Sequence, residues 1–187
     1  MPPHAKITRE MIIEAAFEIV RQYGIDELSA RSVAQKLGCS TQPVMYHFKR
    51  IDDLKKAVYL HADGFHSAYI TDIQPNKAFG GIGLRYIRFA YEEKHLFRFL
   101  FQSDSFSNRT LTELIDAPEL EPVLKIFAMN LGIDREKSKE VFRMIFLFVH
   151  GYASMFANNS MVYDEGRILA DLKNALEGFS NKFRGEI

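Results

Sequence analysis

The length, composition and charge of the chain exclude several classes of protein. The chain has 187 residues, of which 47% are hydrophobic, so it can bury the cores of a two-part protein. Its 24 basic and 24 acidic residues balance, and overall charge therefore indicates no partner. A single cysteine, Cys39, excludes an intrachain disulfide framework and favours a reducing compartment. The N-terminus lacks an apolar secretion signal, and the longest apolar run, 144–149, is far shorter than the ~20 residues of a membrane span, so we expect a cytoplasmic protein.

The first predicted helix covers residues 7–23. Thr8 is a suitable N-cap, and Gly24 is a suitable residue to end the helix. Apolar residues recur every three or four positions, which predicts one buried face. That face consists of Ile12, Ala16, Ile19 and Tyr23.

Two short helices joined by a tight turn follow. Ser29 can cap a helix over residues 30–37, and Gly38 can adopt the left-handed conformation that ends it. A second helix can start at Ser40 or Thr41, with Pro43 in its first turn, where a missing N–H costs nothing. Val44 and Phe48 form an apolar pair facing back onto the preceding helix. This pattern predicts a helix-turn-helix.

The outer face of the second helix lacks acidic residues. Its side chains can donate or accept hydrogen bonds, stack or neutralise charge, as a DNA groove requires. Residues 29–56 carry six Lys and Arg against two Asp, a net charge of +4. The second helix of a helix-turn-helix is the one that reads the major groove. The predicted DNA-binding residues are Ser29, Arg31, Thr41, Gln42, Pro43, Met45, Tyr46, His47, Lys49 and Lys55.

The run ITREMIIEAAFEIVRQYGIDELSARSVAQKLGCSTQPVMYHFKRIDDLKKAV resembles the N-terminal domain of the TetR family of transcriptional regulators. The resemblance implies an all-α protein of about nine helices, with a three-helix DNA-binding domain in residues 1–50. It further implies a linking fourth helix, 51–73, and a helical effector-binding and dimerisation domain over 51–187. Two positions depart from the family pattern: Met45 stands where many members carry Tyr, and Ile51 replaces a usual Lys.

The remainder of the chain is also predicted to be helical. The linking helix has Leu54, Val58, Phe65 and Tyr69 as inward candidates, and Pro75 with Asn76 breaks it. The glycines at 80, 81 and 83 favour a loose helix start, because no strand precedes them and no Lys-Ser/Thr follows, as a phosphate loop would require. The later helices are predicted at 77–93, 95–101, 110–115, 119–129, 135–158 and 164–183.

The last two helices are predicted to form a subunit contact. Residues 144–156 are apolar nearly all round, and the final helix carries an apolar stripe, so both need partners. A palindromic operator also requires a dimer. The alternative is a stripe buried within one chain. The predicted dimer-interface residues are Met155, Ile168, Leu169, Leu172, Leu176 and Phe179.

Polar groups within apolar helix indicate an effector pocket for a small apolar or amphipathic molecule. A buried polar group costs roughly 1–3 kcal/mol unless it is paired, so these side chains need partners in the fold or in a ligand. His150, beside Gly151, is the strongest candidate, with a core histidine bonded to a carbonyl as the alternative. The predicted effector-binding residues are Phe65, Tyr69, Tyr86, Phe89, Phe101, Phe127, Arg143, Phe148, His150 and Tyr152.

Metal binding and catalysis find no support in the sequence. His61, Asp63 and His66 are close in sequence but do not share a helix face, and no known catalytic motif is present, so we expect no enzyme, metal or cofactor. The sequence thus predicts a ligand-responsive homodimeric repressor. The alternatives are an activator of the same family, and a helical carrier or enzyme in which residues 42–49 form only a solvated face.

Overall fold

The computed structural model describes residues 7–72, 78–103 and 110–184, and the regular elements in these ranges are all helical. The all-α prediction is confirmed. The predicted break at Pro75 and Asn76 lies outside the described residues. The α-helices are α1 (Arg9–Tyr23), α2 (Ala30–Lys36), α3 (Thr41–His47), α4 (Ile51–Thr71), α5 (Ala78–Glu92), α6 (Lys94–Phe101), α7 (Leu111–Ile115), α8 (Glu121–Leu131), α9 (Arg135–Asn158) and α10 (Glu165–Arg184).

The chain divides into two compact units whose bounds differ from the predicted domain boundary at residue 50. The first unit comprises the described residues within Met1–Ala68 and Glu93–Ser105, and the second those within Tyr69–Glu92 and Phe106–Ile187. Most of α4 and all of α6 therefore belong to the unit that contains α1–α3. The assignment of functions to the predicted domains stays a prediction.

In the first unit, local capping signals set the helix ends. Thr8 Oγ1 accepts a hydrogen bond from the Met11 amide at 3.3 Å, and Gly24, with φ 94°, ends α1. Ser29 and Ser32 form a capping box at the start of α2. These predicted ends are confirmed.

The inner face of α1 is buried, with one exception to the prediction. Ile12, Ala16 and Ile19 are buried, but Tyr23 is 57% exposed. Val20 is fully buried one turn after Ala16 and fills the inner face at the end of the helix, so the predicted placement of Tyr23 is wrong. The face packs against the short helices and against α6.

The inner face of α4 follows a strict four-residue spacing. Leu54, Val58, Ala62 and His66 are all buried, whereas Phe65 is half-buried. His66 was not predicted to face inward, because a hydrophobicity pattern gives a histidine no preferred side. Burial lowers the pKa of His66 to about 4.

In the second unit, α9 is the central helix. It packs against α5, α8 and α10, and the Asp134 carboxylate caps it by accepting from the Lys137 amide at 2.8 Å. Gly83 lies where α5 approaches its neighbours. A Cβ at this position would stand 3.4 Å from Val149 Cγ2 and 3.8 Å from Leu172 Cδ2, so the glycine permits close helix packing.

The single chain buries part of the predicted dimer interface. Ile168 and Leu172 are 1% and 7% exposed and pack inside the second unit, so they are not available to a second copy. At these two positions the α10 stripe covers α5 and α9 of its own chain, as in the alternative interpretation, and the rest of the predicted interface stays a prediction. Leu176 and Phe179 are half-buried, while Leu169 and Met155 remain exposed.

Within the single chain, the second half of α9 is not covered on every side, and its predicted cover by a second copy stays a prediction. Leu147 and Met155 are 50% and 52% exposed, and Gly151, midway between them, is also exposed. These three residues recur every fourth position and so share one face of the helix. We call them the α9 apolar face.

By length and composition alone, α9 could also cross a membrane. Its most apolar 18-residue window has a mean hydropathy of 1.2. One such helix is weak evidence, because the core helix of a globular unit passes the same test. Here α9 packs against three helices of its own unit.

Candidate nucleic-acid interface and effector region

The outer face of α3 is exposed to solvent, while its inner face is buried. Val44 and Phe48 are 1% and 4% exposed and seat the helix on the rest of its unit, as predicted. The N-cap of α3 is Ser40, without a side-chain hydrogen bond, and Pro43 lies half-buried in the first turn. The exposed residues of this surface, which we call the α3 outer face, are Thr41, Gln42, Met45, Tyr46 and Lys49.

His47 belongs to the edge of this surface rather than to its centre. Its Nε2 lies 3.2 Å from the Ile7 carbonyl oxygen, and its ring stands edge-on to Tyr46 with centroids 5.2 Å apart. The side chain is half-buried. The His47 ring therefore contacts the residues just before α1, which lie 40 positions earlier and could not be paired with it by local patterns.

The remaining predicted DNA-binding residues differ in how accessible they are. Ser29 Oγ accepts from the Ser32 amide at 3.0 Å and so serves first as the cap of α2. Arg31 is exposed, and Lys55 is half-buried on the first turns of α4.

Arg9 is a basic residue near α3 that the sequence prediction missed. Its guanidinium lies 5.0 Å from the centroid of the Phe48 ring, a cation–π distance. The side chain thus packs on the residue that ends α3. In the sequence, Arg9 is only a basic residue in the first turn of α1, and this position alone does not predict a contact with Phe48.

The strongest candidate for the effector region, His150, pairs with another predicted residue. The Tyr86 hydroxyl on α5 lies 3.0 Å from His150 Nδ1 on α9. Burial lowers the pKa of His150 and raises the pKa of Tyr86, so both groups are neutral at neutral pH. This contact engages Nδ1 of His150, and the alternative of a histidine bonded to a carbonyl stays open.

Three rings stack along α9 beside this pair. Phe142, Phe146 and His150 recur every fourth residue, with centroid separations of 6.1 and 5.7 Å and interplanar angles of 25° and 28°. We call them the aromatic ladder. Phe127 of α8 stands edge-on to Phe142 at 5.4 Å. The prediction missed Phe142 and Phe146, although their spacing from His150 was a visible signal.

The other predicted effector residues do not join this group. In the first unit, Phe65 packs edge-on against Phe17, and Phe101 packs against His66. In the second, Tyr69 packs on the buried Phe89.

On α9, two further predicted residues pair away from the ladder. Tyr152 donates to Asp171 Oδ2 at 2.7 Å and lies beside Phe148. Arg143 donates to Glu140 at 2.6 Å in an exposed pair. The structure thus brings together Tyr86, Phe127 and His150 and disperses the rest.

The described residues contain no group of three or more potential metal ligands. The polar side chains of the apolar helices instead bind one another. Arg88 of α5, for example, forms an ion pair with Glu165 of α10. The expectation that such groups need partners is met inside the second unit.

Comparison with known proteins finds sequence matches over about a third of the chain and several matches in fold. The chain is 35% identical over 65 residues to the tetracycline repressor protein class D from Escherichia coli, a match that covers 35% of the chain and 30% of the repressor. The chain therefore spans less than a third of the length of this curated relative. Protein-family models give no match.

Solved structures match over nearly the whole chain. A TetR-family member from Streptomyces coelicolor A3 superposes with a TM-score of 0.57 at 20% identity, covering 89% of this chain and 96% of that one. The multidrug binding protein EbrR, complexed with ethidium, gives 0.53 at 22% identity and covers 92% and 99%. The chain has the TetR fold.

The TetR fold confirms the resemblance drawn from the first third of the sequence. In this fold the outer face of α3 is the surface that the sequence assigned to DNA. The two departures noted in the sequence have definite places: Met45 lies at the centre of the α3 outer face, and Ile51 is the first residue of α4.

Proposed function

We propose that this protein is a cytoplasmic transcriptional repressor that binds a palindromic operator as a homodimer and releases it when a small apolar or amphipathic molecule binds. The observation that carries the proposal is the α3 outer face, which is exposed, free of acidic residues and set on a buried inner face. The curated relative is named as a repressor, which supports repression over activation.

Binding to DNA is tested by the dependence of affinity on salt. An operator is first selected from a random-sequence pool, and its dissociation constant is then measured between 50 and 200 mM salt, about the range over which phosphate contacts are lost. We expect affinity to fall by at least about tenfold, because each neutralised phosphate releases counterions. A flat response, or no selectable operator, overturns the proposal.

A matched pair of lysine variants separates a local contact from general charge. Lys49→Ala, just after α3, should reduce the salt slope by about one per subunit, whereas Lys125→Ala, exposed on α8, should leave it unchanged. Equal effects from both variants would show that binding follows net charge rather than the α3 outer face.

For the dimer contact, the α9 apolar face is the best supported surface. Leu147, Gly151 and Met155 leave a row of apolar surface in water, and Leu169 on α10 adds a further exposed apolar side chain. An exposed glycine in such a row lets a second helix approach closely. We propose that a second copy covers this face, so that two α3 helices can address the two halves of an operator.

For the effector, the aromatic ladder with Tyr86 and Phe127 is the best supported site. The ladder rings are only partly buried and offer stacking surfaces, while the Tyr86–His150 pair supplies polar groups that fix orientation. The multidrug binding protein of the same fold is complexed with ethidium, which supports a planar aromatic ligand here.

A ligand screen tests this coupling. A molecule that raises the melting temperature should also weaken operator binding, because it can act on DNA affinity only by preferring one conformation of the dimer. Both effects should shrink in Phe146→Ala and persist in Arg143→Ala, a surface variant of the same helix. A screen that finds stabilising ligands without any change in operator affinity overturns the effector proposal and leaves DNA binding intact.

A further inference from the structure

Met45 occupies the centre of the α3 outer face. Thr41 lies one turn before it, Gln42 and Tyr46 flank it on the same surface, and Lys49 follows just after the end of the helix. Its side chain is 46% exposed, although a methionine gains nothing from contact with water. The edge of the surface is held by His47, which is bonded to the Ile7 carbonyl and leaves the centre to Met45.

The chemistry of Met45 differs from that of every other residue on this face. Its thioether has no hydrogen to donate and is a weak acceptor, so it cannot pair with the polar edges of bases or with phosphates. Its neighbours are a hydroxyl, an amide, a phenol and an amine. In the major groove the one apolar group that a base pair presents is the C5-methyl of thymine.

We infer that Met45 recognises the C5-methyl group of a thymine at one defined position in each half of the operator. The inference rests on the proposed function, since it names what the centre of the α3 outer face reads once that face lies in the groove. Gln42, Tyr46 and Lys49 supply the polar and charged contacts around it. Met45 is therefore a specificity residue whose partner is a methyl group rather than a hydrogen-bonding edge.

The test replaces thymidine by deoxyuridine, one position at a time, in the selected operator. This change removes the methyl group and keeps base pairing and all hydrogen-bonding groups. Affinity should fall about fourfold at one position of a half-site, the value of one buried methyl-sized group, and about sixteenfold when both halves are changed. Other thymidines should tolerate the change.

Variants assign the lost affinity to Met45. In Met45→Ala the sensitive position should become insensitive, while Met45→Leu, which keeps an apolar side chain of similar size, should retain sensitivity. Leu60→Ala, which changes an even more exposed apolar residue on α4, should reproduce the wild-type pattern. Because Met45 and Leu60 are both exposed, melting temperatures should change little in all three proteins.

The outcomes separate this inference from the proposed function. Operator binding with no deoxyuridine-sensitive position overturns the role of Met45 and leaves the repressor proposal standing. A sensitive position that survives in Met45→Ala also overturns it, because another side chain then reads the methyl group. Failure to select any operator overturns the proposed function, and the inference falls with it.

Discussion

The helices that carry the two candidate sites are held in place by different kinds of contact. In the first unit, α3 is a seven-residue helix, too short to be stable alone, and it is fixed by Val44 and Phe48 on its inner side. In the second, α9 has 24 residues and is bound to its neighbours partly through polar pairs, such as Tyr86 with His150. The side chains proposed to face DNA are therefore separate from those that hold α3, whereas His150 both holds α9 and lines the proposed effector site.

The largest expected effect contrasts the two sides of the second unit. Leu172→Ala should destabilise the protein by about 2–5 kcal/mol, because it leaves a cavity beside Gly83 and α9. Met155→Glu should change stability by less than about 0.5 kcal/mol per chain yet separate the proposed dimer. Denaturant unfolding and sedimentation velocity measure the two quantities, and the reverse pattern would return the interface to α10.

The next effect concerns an ion pair within the first unit. Arg21 Nε donates to Glu93 Oε1 and Oε2 at 3.1 and 2.9 Å, joining α1 to the residue that precedes α6. Glu93→Ala should cost about 2–3 kcal/mol, because the part-buried guanidinium loses its bidentate partner and keeps the Glu18 carboxylate, 3.6 Å away.

Glu140→Ala provides the matched control in the second unit, since it breaks the exposed pair with Arg143. We expect a loss of less than about 1 kcal/mol, as for other surface ion pairs. Equal losses in the two variants would mean that the Arg21–Glu93 pair behaves as a surface pair despite its burial.

A third test uses pH, because His66 is buried in the first unit. Its folded pKa of about 4 lies below the ordinary 6.5, so protons bind the unfolded chain first. The contribution of neutral His66 to the free energy of unfolding is fully present above pH 6.5. It is lost as the pH falls toward 4, and the loss is about 2 kcal/mol at pH 5.

Unfolding curves of His66→Leu between pH 8 and 5 should lack this loss. His61→Gln, on the exposed side of α4, should keep it because His66 is intact. A full decline that persists in His66→Leu would assign the pH dependence to other groups.

A smaller effect is expected for the Tyr86–His150 pair. Tyr86→Phe should cost about 1–2 kcal/mol, because the half-buried imidazole loses its partner. Tyr152→Phe breaks a hydrogen bond to Asp171, whose side chain is 22% exposed. Because water can replace this bond, the loss should be about half as large as for Tyr86→Phe. Thermal unfolding of the two variants decides whether burial sets the difference, and equal losses would show that it does not.

The smallest stability effect should come from the α3 outer face. Gln42→Ala should leave unfolding within about 0.5 kcal/mol of the wild type. Its operator affinity should nevertheless fall by about 1–3 kcal/mol on the preferred site and little on random DNA, because an amide can pair with an adenine edge. A large loss of stability would contradict the separation of reading and packing in α3.

The sequence was sufficient for features that depend on neighbouring residues. Caps at Thr8, Ser29 and Asp134, and the inner pair of α3, follow from side chains within four positions of each other. The position of α6 in the first unit could not be predicted in this way, because it depends on contacts with α1 about 70 residues earlier in the chain.

The periodicity of apolar residues in a helix also does not show which neighbouring helix or subunit covers its apolar stripe. The same spacing in α10 fits a second copy or the chain's own α5 and α9, and the structure assigns Ile168 and Leu172 to the latter. The partners in polar pairs such as Tyr86 with His150 could not be predicted either. A polar residue in an apolar helix indicates that it needs a hydrogen-bond partner but not which residue the partner is.

The first unit is discontinuous, since the chain leaves it after Ala68 and returns at Glu93. During synthesis on the ribosome, the inner face of α1 must wait until α6, with its buried Leu96, Phe97 and Leu100, has left the exit tunnel. By then α5, which belongs to the second unit, has already been made, whereas its partners α8, α9 and α10 follow later in the chain. A chimeric protein that contains the first unit must therefore also contain α6.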